Sequence, residues 1–404
     1  MPDGSGVMHD VIVVGGGPAG LQVAALLARD GWDVLLYEEH AEAGEPIHCT
    51  GVLAAEAYDE LDLPKEPILN TLSTVRFFAP SGETVSYTTS VVEALVIDRR
   101  LFDQQLHNRA AETGVRIITG RRVTNVVAAS AGVTVSLADG SEARSRACIL
   151  ACGANYVLQR RMGLGLPTVF LQSAQVEWPA APLGTVEVHF GQDVAPGGFA
   201  WVVPVRRGPS ATARIGLMCE RNAGPHFNAF VERIAPRWSI ERPDDRHAPS
   251  EPRLKMLPLA PLQKTFTDRV LAVGDAAGLV KATTGGGIYY SLVSAGIAAD
   301  VLGEALTADS LTGHRLAEYQ RLWRKRLGPE LEAQLALRVL ADRFTDEDIN
   351  ALFELARTDG IMPIVRRTAR FNRHRELILS LFKHPPARRL LFRRFRDGRD
   401  TAAS

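Results

Sequence analysis

Apolar positions along the chain change period in an order that predicts its elements. Asp10 to Val14 is a β-branched run, GGGPAG follows, and apolar positions then recur through Leu21 to Ala28, which reads as strand, tight turn and helix. After Gly31 a second strand, Asp33 to Tyr37, completes a βαβ opening. Ser81 to Ile97 alternates like a strand, Phe102 to Ala111 has a helical pattern, and Val115 to Ile118 is strand-like again. Val123 to Ala128 and Val133 to Leu137 predict a hairpin or meander, and Cys148 to Ala151 a buried strand. Leu164 to Pro258 is rich in Pro, Gly and β-branched residues and predicts a second, sheet-bearing unit. Val270 to Val273 returns to a buried strand, Ile288 to Leu306 is a long apolar helix, and the remainder reads almost wholly helical.

This order predicts an α/β protein. A discontinuous Rossmann-type domain occupies 8–60, 95–160 and 262–305. A mixed-sheet substrate domain occupies 61–94 and 161–261, and a C-terminal helical region covers 306–404.

Composition narrows the functional classes. The 404 residues are 46% hydrophobic, enough for a large core, and Lys plus Arg and Asp plus Glu both count 46. With no global charge excess, nothing steers the molecule towards nucleic acid. MPDGSGVMHD lacks the basic and apolar regions of a signal peptide, and no stretch approaches a membrane-spanning length. Four cysteines, at 49, 148, 152 and 219, form neither a disulfide framework nor metal-type pairs, so a cytoplasmic location is expected and no metal site.

The strongest chemical signal is VIVVGGGPAG. Gly15, Gly17 and Gly20 stand at GxGxxG spacing between strand and helix, with Ala19 in the same turn. Gly15 permits the tight turn, Gly17 lets backbone approach a pyrophosphate, and Gly20 allows close helix packing. Free N–H groups and the helix dipole favour the phosphates. Glu38 ends the second strand, where a carboxylate can accept from both ribose hydroxyls.

That fingerprint fits NAD or FAD, and the far end decides for FAD. RVLAVGDAAG ends a strand in Gly274 and Asp275, and Gly285, Gly286 and Gly287 precede a helix opening at Ile288. An acid after a strand can hold ribityl hydroxyls, and a glycine-rich helix start can present N–H groups to the N1/C2=O edge of a flavin.

These residues resemble the para-hydroxybenzoate-hydroxylase-like flavoproteins, and among them the geranylgeranyl reductases, over most of Asp10 to Gly296. The group's GDAAG motif and Gly-rich turn correspond to GDAAGLVKATTGGGI, Gly274 to Ile288. Aromatic hydroxylases of the superfamily put His where Gly278 stands, so the resemblance favours a reductase. PGGFAWVVP, Pro196 to Pro204, is similar to the reductases' PxGYxWxFP motif, which implies that Phe199 and Trp201 wall a lipid pocket beside the flavin. PIHCTG, Pro46 to Gly51, resembles their Cys-Gly region. Reducing an isolated C=C bond needs hydride from flavin N5 and a proton for the other carbon, and Cys49 is the candidate donor, with His48 placed to tune it. DRRLFD, Asp98 to Asp103, resembles a helix start whose Arg, here Arg99, approaches the flavin or its phosphates. The chain departs from the family at Cys152, where relatives carry Asp, and at Ala282, where many carry Pro.

The resemblance implies an FAD-dependent reductase of prenyl C=C bonds, on a geranylgeranyl lipid, diphosphate, chlorophyll-type or quinone tail. A flavin monooxygenase and a non-catalytic prenyl-lipid carrier are the alternatives. One dinucleotide fingerprint leaves the electron donor open between NAD(P)H and a ferredoxin-type protein. From Arg366 to Arg399 basic residues outnumber acidic ones and interleave with Leu and Phe, a pattern that suits either a helical cap or peripheral contact with an anionic membrane.

Overall fold

The computed structural model describes residues 7–392 except 48, 182–183, 209, 241, 245–248 and 359. His48 and Phe395 lie outside the described residues.

The N-terminal strand, Met8–Val14, is buried on both faces, as its unbroken β-branched run demands. It pairs in parallel with Val34–Tyr37 on one side and Glu142–Leu150 on the other. Arg116–Ile118 and Val270–Ala272 extend this sheet in parallel on its two sides, and Phe266–Thr267 adds an antiparallel edge beyond the latter. The chain thus reverses its winding direction at Met8–Val14, and Gly15 lies at the carboxyl end of that strand, where open α/β sheets bind ligands. Helices Pro18–Arg29 and Ile288–Thr307 pack on each other, and the latter also packs on Gly313–Ala341. Their buried side chains form one large core with the sheet.

A second, seven-stranded sheet has the order Arg253–Pro258, Phe170–Pro179, Ser210–Cys219, Phe199–Arg207, Val186–His189, Thr74–Phe78 and Thr84–Thr88. Period-two alternation gives it two different faces. Ala174, Val176, Ala200, Val202, Ala213 and Ile215 pack against Phe227, Phe230, Ile234 and Trp238. Ser173, Gln175, Phe199, Trp201 and Val203 point to the other side, into a cavity.

Two local expectations are corrected. The stretch from Ser81 to Ile97 is not one strand but two, Thr84–Thr88 and Ala94–Ile97, in different sheets, the latter between Val52–Ala54 and Ile68–Leu72. The Pro- and Gly-rich middle also contains a 16-residue helix, Ala223–Trp238. Its apolar side chains recur at helical spacing, and Pro225 falls in its first turn, where a missing N–H costs little.

Candidate flavin and prenyl-chain site

Gly15 has φ +110°, and a Cβ there would stand 2.4 Å from the Ala151 carbonyl oxygen. At Gly20 a Cβ would meet the Gly15 carbonyl at 2.0 Å, so helix and turn can only close together on glycine. Gly17 is the N-cap of helix Pro18–Arg29, has no side-chain cap, and faces open space; Ala19 is buried behind it. The first N–H groups of this helix therefore point into a space able to take a pyrophosphate. The Glu38 carboxylate accepts from Gly16 N at 2.6 Å through one oxygen and from His40 N at 2.9 Å through the other. Oε1 also meets His40 Nδ1 at 2.5 Å, so Oε2 is the oxygen that keeps a lone pair for a ribose hydroxyl.

The second half of the site follows strand Val270–Ala272. Gly274 N donates to Ser294 Oγ at 3.0 Å, and the Tyr156 hydroxyl donates to the Asp275 carbonyl, which leaves the Asp275 carboxylate 2.5 Å from where a Cβ on Gly287 would stand. Gly287 thus admits the acid beside the start of helix Ile288–Thr307. Gly278 has φ +71° and sits with its would-be Cβ 2.3 Å from the Ala260 carbonyl, which excludes any side chain, histidine included. These features fit FAD: a phosphate cradle, a ribose acid, a second acid and a glycine-opened helix start.

Cys49 Sγ accepts from Gly51 N at 3.3 Å, and the Arg99 guanidinium reaches the thiol. Arg99 is already engaged through Nε and Nη2. It forks onto Asp103, one turn along its own helix, with Nη2 2.8 Å from Oδ2, and the pairing holds it charged despite its burial. Arg214, 3% exposed, ties the same turn to the second sheet: Nη1 donates to Thr50 O at 2.5 Å and Ile97 O at 2.9 Å, and Nε to Glu177 at 2.8 Å. Thr50 Oγ1 donates to Gln175 at 2.5 Å. Cys152 is half-buried, and desolvation pushes its thiol pKa up to about 11.

Cys49, Thr284, Gly285 and Gly286 line one end of an apolar cavity of about 850 Å³, within the usual size for small-molecule sites. Phe199 and Trp201 line it too, their ring centroids 5.7 Å apart, with Trp201 lying over Gly216. Leu377, Ile378, Leu381 and Leu391 close its outer side, so these apolar residues of the basic C-terminal segment turn inward. Of the residues singled out from the sequence, Cys49, Gly285, Gly286, Phe199 and Trp201 line this cavity. Sequence reasoning missed Arg214, Lys281 and His374, whose roles depend on elements distant in the chain; a lone Lys inside an apolar run was the one available signal for Lys281. Among the described residues no helix is long and apolar enough to cross a membrane and no cluster could hold a metal ion.

A Rossmann-type sheet with a flavin-fitted turn, facing a second sheet across an apolar cavity, defines the class of FAD-dependent oxidoreductases. Residues 10–176 match the lycopene cyclase protein family. A digeranylgeranylglycerophospholipid reductase from Methanothermobacter thermautotrophicus is 32% identical over 363 residues, covering 85% of this chain and 90% of the relative. One from Methanocaldococcus jannaschii is 29% identical over 362 residues, covering 86% and 90%. A geranylgeranyl bacteriochlorophyll reductase-like protein from Thermoplasma acidophilum superposes with a TM-score of 0.79 at 22% identity, covering 96% of this chain and 99% of its own. The chain belongs to the digeranylgeranylglycerophospholipid reductase family.

Proposed function

We propose that the protein reduces carbon–carbon double bonds of a prenyl chain held in the cavity between the flavin turn, the seven-stranded sheet and the C-terminal helices. The observation that carries this reading is the meeting of an 850 Å³ apolar cavity with Cys49 and the Thr284–Gly286 turn. Bound FAD supplies hydride, and the chain must supply a proton to the neighbouring carbon. Cys49 is the proposed donor, since it lines the cavity. Arg99, fixed by Asp103, offsets the charge left on sulfur when the proton departs. Gly15, Gly17, Ala19, Gly20 and Glu38 take the dinucleotide half, and Gly274, Asp275 and Gly285 to Ile288 the flavin half. Phe199 and Trp201 exclude water and hold the chain.

Electrons reach the flavin from NAD(P)H or a ferredoxin-type protein. Exposed Arg367, Arg375, Lys383, Arg388 and Arg389 give the outer C-terminal surface a basic face for peripheral contact with anionic lipid. Charge reversal at Arg388 and Arg389 is expected to abolish co-flotation with anionic liposomes; equal flotation removes the membrane contact.

The enzymatic reading is tested anaerobically. The yellow protein is reduced with dithionite, a geranylgeranyl lipid or diphosphate is added, and flavin reoxidation is followed with mass spectrometry of the lipid. Reoxidation with a gain of about 2 Da per bond, the hydride and proton of one reduction, is the expected result. A flavin that stays reduced with every prenyl substrate yet reacts rapidly with oxygen supports a monooxygenase, and binding without reoxidation supports a carrier.

A further inference from the structure

At the edge of the seven-stranded sheet opposite the flavin turn lies a second, polar pocket of about 570 Å³. Thr88, Thr89, Ser90, Glu93, Arg366 and Arg370 line it. It is not isolated: Tyr87, Thr89, Glu93, Arg370 and Phe371 line both this pocket and the apolar cavity. Among the described residues neither arginine has a carboxylate partner; Arg370 donates only to the carbonyl of Ala369, at 2.7 Å. Arg366 and Arg370 both line this one pocket. Unpaired arginines over hydroxyl side chains form a fork suited to phosphate oxygens, and the carboxylates of Glu56 and Glu93 can accept from hydroxyls beside that phosphate.

We propose that this pocket is the headgroup subsite, taking a phosphate on a hydroxylated linker, and that the prenyl tail runs from it across the sheet with its free end towards Cys49. The proposal rests on the prenyl-reductase reading and adds to it a binding site and a direction. The cavity wall draws on Arg253, Lys255 and Leu257 at one edge strand and Tyr87 at the other. Seven strands at ~4.8 Å spacing set these edges roughly 29 Å apart. The Gly285 turn packs on Leu257 of the far edge strand, and Thr50, next to Cys49, bonds Gln175 on the strand beside it, so a headgroup held at Arg366 and Arg370 sits at the other side of the sheet from both. The bond nearest the free end is therefore reduced first.

The test compares geranylgeranyl phosphate with geranylgeraniol on the FAD-loaded protein, as the ratio of their kcat/KM values, in the wild type, in Arg366→Gln/Arg370→Gln, and in Arg253→Gln/Lys255→Gln. Loss of two charge-assisted contacts is expected to cut the phosphate preference of the first variant by about tenfold or more. The first product is expected to be saturated at the terminal isoprene unit. Inorganic phosphate is the control: inhibition by phosphate of the phosphorylated substrate but not of the alcohol locates the anion in the headgroup subsite. An unchanged ratio, or one lost instead in the Arg253/Lys255 variant, or first reduction next to the head, overturns the proposal while leaving prenyl reduction standing. If neither compound is reduced by the wild type, the reductase reading itself fails. Flavin content and the melting temperature of each variant separate misfolding from lost recognition.

Discussion

Lys281, on the flavin turn, reaches across to the C-terminal helices and donates from Nζ to Asn372 Oδ1 at 2.7 Å and to the Phe371 carbonyl at 2.8 Å. Both Lys281 and Asn372 are almost fully buried, and the ammonium also lies over the Phe371 ring. Two residues further on, Thr283 meets His374 Nδ1 at 2.7 Å. The Gly274–Ile288 segment and the segment that covers the cavity are thus one hydrogen-bonded unit.

Replacing Lys281 by Met keeps the volume and removes the donors. The buried Asn372 Oδ1 then loses its partner, a cost of about 1–3 kcal/mol, while the Phe371 carbonyl keeps His374 Nε2 at 3.0 Å. The expected outcome is a lower melting temperature and faster proteolysis between residues 360 and 391, with FAD retained. Unaltered proteolysis shows that the latch does not hold the C-terminal helices down.

Cys49 can be tested apart from its surroundings. Cys49→Ala should keep FAD and prenyl binding, because Arg99 keeps Asp103 and the loss is confined to the bond from the buried Gly51 N–H, a cost of about 1–3 kcal/mol. Alkene reduction is expected to fall by about 10²-fold or more, the usual worth of a positioned acid. Turnover at the wild-type rate, measured by anaerobic flavin reoxidation, removes Cys49 as proton donor.

Gly216 explains how Trp201 lies flat on the sheet. A Cβ at 216 would stand 2.5 Å from the indole, so Gly216→Ala must push Trp201 into the cavity. A shortened cavity should raise KM for geranylgeranyl substrates more than for a shorter prenyl chain. Equal effects on both chain lengths, or none, contradict the role of Trp201 as a wall.

Much of the site was legible because its chemistry is local. The glycine turns at 15–20 and 285–287, Glu38 and Asp275 each act within a few residues of a strand end, so spacing alone locates them. Arg99 shows the limit: the motif DRRLFD contains both Arg99 and Asp103, and their i, i+4 pairing can be read from spacing, but the approach of the same guanidinium to Cys49 cannot. Arg214 was invisible for a different reason. Its partners Thr50, Ile97 and Glu177 come from three separate segments that only the sheet register brings together. The amphipathic tail shows a third case. Periodicity finds an apolar face, but whether membrane or cavity covers Leu377 and Ile378 depends on the path of the whole chain.

Glu177 makes the junction between the second sheet and the Cys49 turn sensitive to acid. Burial alone would raise its pKa, but hydrogen bonds and charge from Arg207 and Arg214 outweigh that and hold it at about 2, against an ordinary 4.5. A carboxylate with a depressed folded-state pKa stabilises the fold fully above its unfolded value, and that contribution is lost as pH falls towards the folded value. The protein should therefore lose stability between about pH 4.5 and 2, with part of the loss traceable to this network. Glu177→Gln, which cannot ionise, should be less stable than the wild type at neutral pH and show a flatter decline over that window. Acid unfolding followed by flavin release and tryptophan fluorescence measures both. Parallel pH profiles for the two proteins would mean that Arg214 holds the Cys49 turn through Thr50 and Ile97 alone, without need of its carboxylate.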